Sequence, residues 1–326
     1  MVSPDLSMSS PPIKPTTNYS ALIGRTIDNT ALAAFMTCPR KYYYSMMLHR
    51  RRDGVPTPSL CYGSGWHVAM ETHYKAPAEL TKAELIDLVR GEVGRRWTGS
   101  TDNQDYRTFD RCIVEYERYL DKYGLPWNEP GKTLGWPSNP MVEIAIELPV
   151  PGARHPYTGK LDRILDANGQ YLIEDHKTAS MLRNDYFKGF EMDNQMIGYA
   201  VLAELATGVM IAGVRINAHI IRKSDSVFER RTVPFTQERL RAWNKNYDRW
   251  LRRIENSVSE AIALKAESLD PADAFPQNFA ACAGKYGMCT YADVCSMPPR
   301  LQQITLETYY NELPWNPLEA PDEAVE

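Results

Sequence analysis

The chain has 326 residues, 43% of them hydrophobic and 24% charged, enough to bury a full core. Its net charge of −4 argues mildly against a nucleic-acid partner, whose phosphates favour a basic surface, although an acidic metal site would tip the balance the same way. No run of eighteen apolar residues occurs, so neither a membrane-spanning helix nor a membrane partner is expected.

Residues 1–20 are rich in Ser, Pro and Thr and are expected to be disordered. They lack the apolar stretch of a secretory leader, so a cytoplasmic location is expected. Residues 21–300 read as one compact body without internal repeats, and 301–326 as a C-terminal segment ending in an acidic tail. A helix is predicted over 28–49, opened by Asp28-Asn29-Thr30 and interrupted near Pro39. Further helices are predicted over 63–75, 82–97 and 103–123, followed by a Pro/Gly/Trp-rich loop over 124–140. Strands follow at 141–149, 159–166 and 170–176, then a helix over 184–207 and strands at 211–222 and 227–233. A long helix over 236–266 precedes a cysteine-containing segment. Helices, then strands, then a helix and more strands predict an α/β fold with a mixed central sheet flanked by helices. Gly131-Lys132-Thr133 imitates the end of a phosphate-binding loop, but Pro126 stands where that motif needs glycine. The basic clusters His49-Arg50-Arg51-Arg52 and Arg222-Lys223 read either as solvated surface or as nucleic-acid contacts.

The stretch from Tyr157 to Ser180 carries most of the chemistry. Two apolar strands meet at a turn, Asn168-Gly169, with Asp162 on the first and Asp175 and Lys177 on the second. Residues two apart on a strand share a face, so Asp175 and Lys177 project together and Asp162 can face them. Two carboxylates beside a lysine can hold Mg²⁺ or Mn²⁺ and activate water. The apolar neighbours Leu161, Ile164, Leu172 and Ile173 argue against mere surface charges. Lys177 would orient an attacking water or stabilise charge building on a phosphate. His176 points to the opposite face and reads as packing. Gln195 and Tyr199 are spaced to share one helix face, as are His67 and Glu71, while His73 faces elsewhere.

Of six cysteines, Cys282, Cys289 and Cys295 form a tight C-x6-C-x5-C array, more suggestive of a metal site than of a disulfide frame. Structural zinc and iron–sulfur clusters both usually take four ligands, and Cys38, followed by Pro39, is the natural fourth. Spacing alone leaves the two open. Cys61 and Cys112 are assigned to the core.

Taken in order, these motifs resemble the RecB-like branch of the PD-(D/E)XK nuclease superfamily. Within it the chain is most similar to iron–sulfur members such as the AddB nuclease domain, the CRISPR-adaptation exonucleases and their phage relatives. The resemblance covers roughly residues 28–298. It runs through Cys38 to Tyr44 (CPRKYYY), the helix GSGWHVAMETHY with His67, and the acidic strand MVEIAIELPV with Glu143. It continues through Gly159 to Asp162, Asp175-His176-Lys177, the pair Gln195 and Tyr199, and the terminal cysteines. The C-x6-C spacing is closer to the AddB type than to the C-x2-C of the CRISPR branch, and His176 stands where tyrosine is frequent.

The resemblance implies a restriction-endonuclease-like core, an N-terminal helical region and a C-terminal iron–sulfur segment. It implies Mg²⁺ or Mn²⁺ held by His67, Glu143, Asp162 and Asp175, with Lys177 catalytic and Gln195 and Tyr199 placing the DNA strand. It implies a 4Fe-4S cluster on Cys38, Cys282, Cys289 and Cys295. The expected activity is a metal-dependent DNA exonuclease preferring single-stranded ends, in recombination and repair, phage replication or CRISPR adaptation, working with a helicase or another protein of such a pathway. The competing reading is a catalytically silent nuclease fold that holds DNA ends or scaffolds such a complex; a third is a zinc-stapled regulator.

Overall fold

The computed structural model describes residues 27–52, 56–99, 105–284 and 287–318. The disorder expected for 1–20 and most of the acidic tail lie outside these residues. The predicted first helix is divided: α1 spans Asn29–Thr37, α2 spans Pro39–Tyr42, and a π-helical turn covers Tyr43–Met47. Pro39, which lacks an N–H, opens α2 after an extended Cys38. A short strand β1 (Arg50–Arg51) leads to α3 (Pro58–Lys75), α4 (Lys82–Arg96) and α5 (Phe109–Tyr123). Thr57, Thr81 and Thr108 cap these three helices, each accepting a backbone N–H three residues on.

The sheet then forms from β2 (Lys132–Thr133), β3 (Val142–Pro149), β4 (Pro156–Ala167) and β5 (Gln170–Ala179). Helix α6 (Asn194–Thr207) crosses to β6 (Ile211–Ile221), followed by β7 (Ser226–Pro234) and α7 (Gln237–Ala266). The helix expected from 184 starts ten residues later, because Asp193 caps it at Met196 N and a 3₁₀ segment, Phe187–Met192, precedes it. The chain closes with β8 (Ala283–Gly284), β9 (Gly287–Met288), α8 (Ala292–Ser296), α9 (Pro299–Tyr309) and β10 (Asn311–Glu312). The false phosphate loop is part of the sheet: Lys132 and Thr133 pair with Asp166 and Leu165 of β4.

The six-stranded sheet is mixed. β4 pairs with β3, β2 and β5, all antiparallel; β5 and β6 run parallel through the α6 crossover, and β7 closes the edge antiparallel. One face packs Ile164, Ile173, Val214 and Ile216 against Met196, Ala200 and Ala203 of α6, with Trp243, Tyr247 and Leu251 of α7 behind them. On the other side α3, α4 and α5 enclose a second core built on Trp66, Met70, Leu85, Val89, Ile113 and Tyr116. Cys112 lies in that core and Cys61 is buried as well, as predicted for both. Among the described residues no helix is long and apolar enough to cross a membrane.

Candidate active site

The β4–β5 hairpin turns through Asn168 and Gly169, both at positive φ (57° and 85°), the left-handed pair a two-residue hairpin of this hand requires. That turn fixes the register, so Ala167 pairs with Gln170 and Arg163 with Glu174. Continued by one residue, it sets Asp162 opposite Asp175. The paired ladder stops there: earlier residues of β4 pair with β3, and Tyr157 bridges Ile27, while β5 continues along β6. The two strands fork at the two carboxylates. Asp162 Oδ2 spans the opening, accepting the His176 backbone N–H at 2.6 Å.

His67 reaches this fork from α3. Its Nδ1 lies 3.4 Å from Asp162 Oδ2 and 3.7 Å from Glu143 Oε1. Glu143 stands on β3 opposite Asp162, between the pairs Val142–Arg163 and Ile144–Leu161. Its φ is +52°, a left-handed conformation costly for a non-glycine residue within a strand and found most often where function holds it. Lys160, one of the two variable residues between Gly159 and Asp162, ion-pairs with Glu143 Oε2 at 2.5 Å. Among the described residues, His67, Glu143 and Asp162 are the one group of three or more metal-type donors whose atoms lie within 4.8 Å of one another. An imidazole with carboxylates suits Mn²⁺ or Mg²⁺.

Asp175 stands beside this trio rather than within it, and its Oδ2 is 2.8 Å from Lys177 Nζ. Burial would lower the Lys177 pKa, but the Asp175 and Asp162 carboxylates override it and hold it above the usual lysine value. Lys177 therefore stays charged across the neutral range. Gln195 Nε2 donates to the Tyr199 hydroxyl at 3.1 Å, forming one polar unit on α6. Burial raises the Tyr199 pKa, with Asp175, Lys177 and Asp162 all near enough to act on it. Tyr186, which sequence reasoning passed over, lies in the same field: burial pushes it up to about 12 while Lys177 opposes. No short motif contains it; only the fold brings it alongside Lys177.

Gly159 owes its identity to this packing. A Cβ there would meet Tyr199 Cε1 at 2.6 Å and Leu202 Cδ1 at 2.9 Å. Both side chains are buried, so Gly159→Ala is expected to lift α6 from β4 and cost about 1–3 kcal/mol. A urea titration measures it; an unchanged midpoint would show that the helix yields freely.

Several polar residues are engaged elsewhere. Glu71, considered as a partner for His67, instead binds Lys75 at 2.8 Å and Arg96 at 2.7 Å. His73 is fully buried against Tyr116 and Glu129, consistent with its exclusion. His176 is buried too, with its Nδ1 3.0 Å from Asn217 Nδ2. The basic clusters are largely occupied within the fold. Arg50 pairs with Glu312, Arg52 with Asp293 and Arg222 with Asp225, while Arg51 covers the Trp315 ring at 4.5 Å.

The cysteine segment docks on the N-terminal helices. Arg40 Nε donates to Phe275 O at 2.8 Å, the Tyr44 hydroxyl to Gln302 Oε1 at 2.9 Å, and β1 pairs with β10. Cys38 Sγ accepts from Asn278 N at 3.4 Å. Burial pushes the Cys295 thiol up to about 11; Arg40 opposes, and Cys38, Cys289 and Cys282 add to the rise. All four thiols thus act on one neighbourhood, yet no three of their sulfurs lie within 4.8 Å of one another.

A sequence profile of the PD-(D/E)XK nuclease superfamily matches residues 29–296. The chain belongs to that superfamily. Comparison with curated proteins finds no match. Among solved structures it is similar to a candidate exonuclease from Eubacterium rectale, at 14% identity and a TM-score of 0.46, over 74% of this chain and 84% of that one. That likeness is one of outline and carries no functional argument.

Proposed function

We propose that the chain is a metal-dependent deoxyribonuclease that digests from single-stranded ends, with the body over 21–300 as its nuclease unit. The observation that carries this reading is the meeting of His67, Glu143 and Asp162 at a strand fork beside the Asp175–Lys177 pair. A silent end-binding subunit would have no need of a glutamate held at positive φ beside a charged lysine.

A divalent cation held by His67, Glu143 and Asp162, with Asp175 alongside, would supply Lewis-acid polarisation of the phosphate. The chain's own groups do the rest. Lys177, whose ammonium lies 2.8 Å from Asp175 Oδ2, is assigned as the charge stabiliser. Asp175 holds its ammonium in place at 2.8 Å. Gln195 and Tyr199 present a linked pair of polar groups on the α6 face, positioned to orient the strand.

The single near-match to a motor's phosphate loop is folded into the sheet, so this reading assigns unwinding to a separate helicase or to a partner in recombination, phage replication or CRISPR adaptation. Linear single-stranded DNA is expected to be degraded with Mn²⁺ or Mg²⁺, blunt duplex more slowly and closed circles hardly at all. Rates should fall with added salt as phosphate contacts are lost. End-labelled linear and circular single strands run in parallel decide it, since equal rates would mean an endonuclease.

We also propose that Cys38, Cys282, Cys289 and Cys295 hold a 4Fe-4S cluster, placing the chain in the iron–sulfur branch. A single zinc at about 2.3 Å from each sulfur would draw its four thiolates to within about 4 Å of one another. The thiolates bound outside the four irons of a 4Fe-4S cluster stand farther apart than that, which is compatible with sulfurs of which no three lie within 4.8 Å of one another.

A further inference from the structure

Behind the fork lies a polar network that the proposed chemistry does not use. Arg163 and Glu174, the last paired rung before the strands separate, form a cross-strand ion pair at 2.7 Å. Glu174 also accepts from Arg215 Nε at 2.6 Å. Arg163 donates to Thr133 Oγ1 at 2.8 Å and to Gly131 O at 2.9 Å. The hub is Glu129, from the loop ahead of β2. It pairs with Arg230 of β7 at 2.8 Å, accepts from the Tyr74 hydroxyl at 3.3 Å and lies 3.5 Å from His73 Nε2. The Tyr74 ring lies under the Arg163 guanidinium at 3.6 Å and parallel to His176 at 5.8 Å. The side chains of Glu129 and Glu174 are 0% exposed and that of Arg163 1%.

Such a network is weak evidence for stability, because apolar packing of similar volume is often as stable as a buried ion pair. Its layout has a more specific consequence. Three of the four elements that carry a group of the proposed metal site, all but the β3 strand of Glu143, also carry a residue of this network: Tyr74 and His73 on α3 with His67, Arg163 beside Asp162 on β4, and Glu174 beside Asp175 on β5. Glu129 and Arg163 together join α3 to β4 and β5. We infer that Glu129, Tyr74, Arg163 and Glu174 are positioning residues that set the approach of His67 to Asp162 across the fork. This rests on the metal-site reading above. None of the four is proposed to touch substrate.

The test is Mn²⁺ binding to the full chain by calorimetry. His67→Ala must first abolish the signal; if it does not, the metal-site reading fails, and this inference with it, before any network variant is made. Glu129→Gln keeps size and loses charge, and is expected to weaken Mn²⁺ binding about tenfold, the lower end of what losing a group that orients metal ligands costs. Glu115→Gln is the control. Glu115 is an equally buried glutamate whose ion-pair partners Arg111, Arg118 and His219 lie on α5 and β6. It should lower the urea midpoint and leave Mn²⁺ affinity unchanged. Equal losses of affinity in both variants, or none in Glu129→Gln, would overturn the inference. If Glu129→Gln fails to fold, Tyr74→Phe decides. It keeps the ring under Arg163 and removes only the hydroxyl, and unchanged affinity there would overturn the inference as well.

Discussion

Asp162→Ala and Asp175→Ala are each expected to end strand cleavage while leaving DNA binding in place. Asp162 is the residue on which the site converges: its Oδ2 lies 3.4 Å from His67 Nδ1, accepts the His176 N–H at 2.6 Å and stands within the compact donor trio. Removing it takes away a proposed ligand and the acceptor that ties the strand at the fork. Asp175 acts differently. Its loss removes the carboxylate 2.8 Å from Lys177, so the ammonium loses both its orientation and the main source of its raised pKa. Lys177→Met removes the charge itself. Losing one preorganised electrostatic group of this kind costs on the order of a hundredfold or more in rate. Binding should persist, because phosphate contacts elsewhere supply most of the affinity. Single-turnover cleavage of end-labelled DNA, with binding measured in parallel, separates the two effects. Near-normal cleavage by Asp175→Ala would remove the β4–β5 hairpin from the chemistry.

The hairpin was legible because its signals are local. Asn168-Gly169 fixes a two-residue turn, and simple counting from it places Asp162 across from Asp175 and Arg163 across from Glu174. The first pairing carries residue types whose chemistry is plain from the sequence. The second follows from the same count but is masked, because Arg163 and Glu174 look like the polar, outward half of an alternating strand. They are buried because α3 and α5 cover that face too, and Glu129 arrives from a loop more than thirty residues away (Arg163 lies 34 positions on). Nothing local in the sequence announces that meeting. The same limit applies to Glu143. Its strand was readable and its conformation was not, since a φ of +52° depends on what the neighbouring strands and His67 demand. The late start of α6 had a local cause, the cap at Asp193, but the helical pattern of the preceding residues concealed it.

Replacing any one of Cys38, Cys282, Cys289 or Cys295 with alanine is expected to yield colourless protein of much lower stability. A cluster on these four thiols links Cys38 to a segment about 240 residues away, and a crosslink closing so long a loop restricts the unfolded chain by on the order of 5 kcal/mol in a chain-entropy treatment. Protein contacts alone span the same seam. Arg40 reaches Phe275 O, Tyr44 reaches Gln302 and β1 meets β10, but β1 and β10 share only two residue pairs and the ion pair of Arg50 with Glu312 is long at 3.5 Å. These contacts position the cysteine segment without the strength to hold it against the chain entropy, so the α1–α2 region and α9 should loosen together when a ligand is lost. Cys61→Ala and Cys112→Ala make the contrast. Both remove a buried sulfur and leave a small cavity, for a loss of about 1 kcal/mol with iron content unchanged. Iron and sulfide analysis of protein purified without oxygen, read beside thermal unfolding of each variant, tests both halves of the expectation. One zinc per chain and no iron would replace the cluster by a single ion and require the sulfurs to draw closer than they stand here, while leaving the fork of His67, Glu143 and Asp162 as it is.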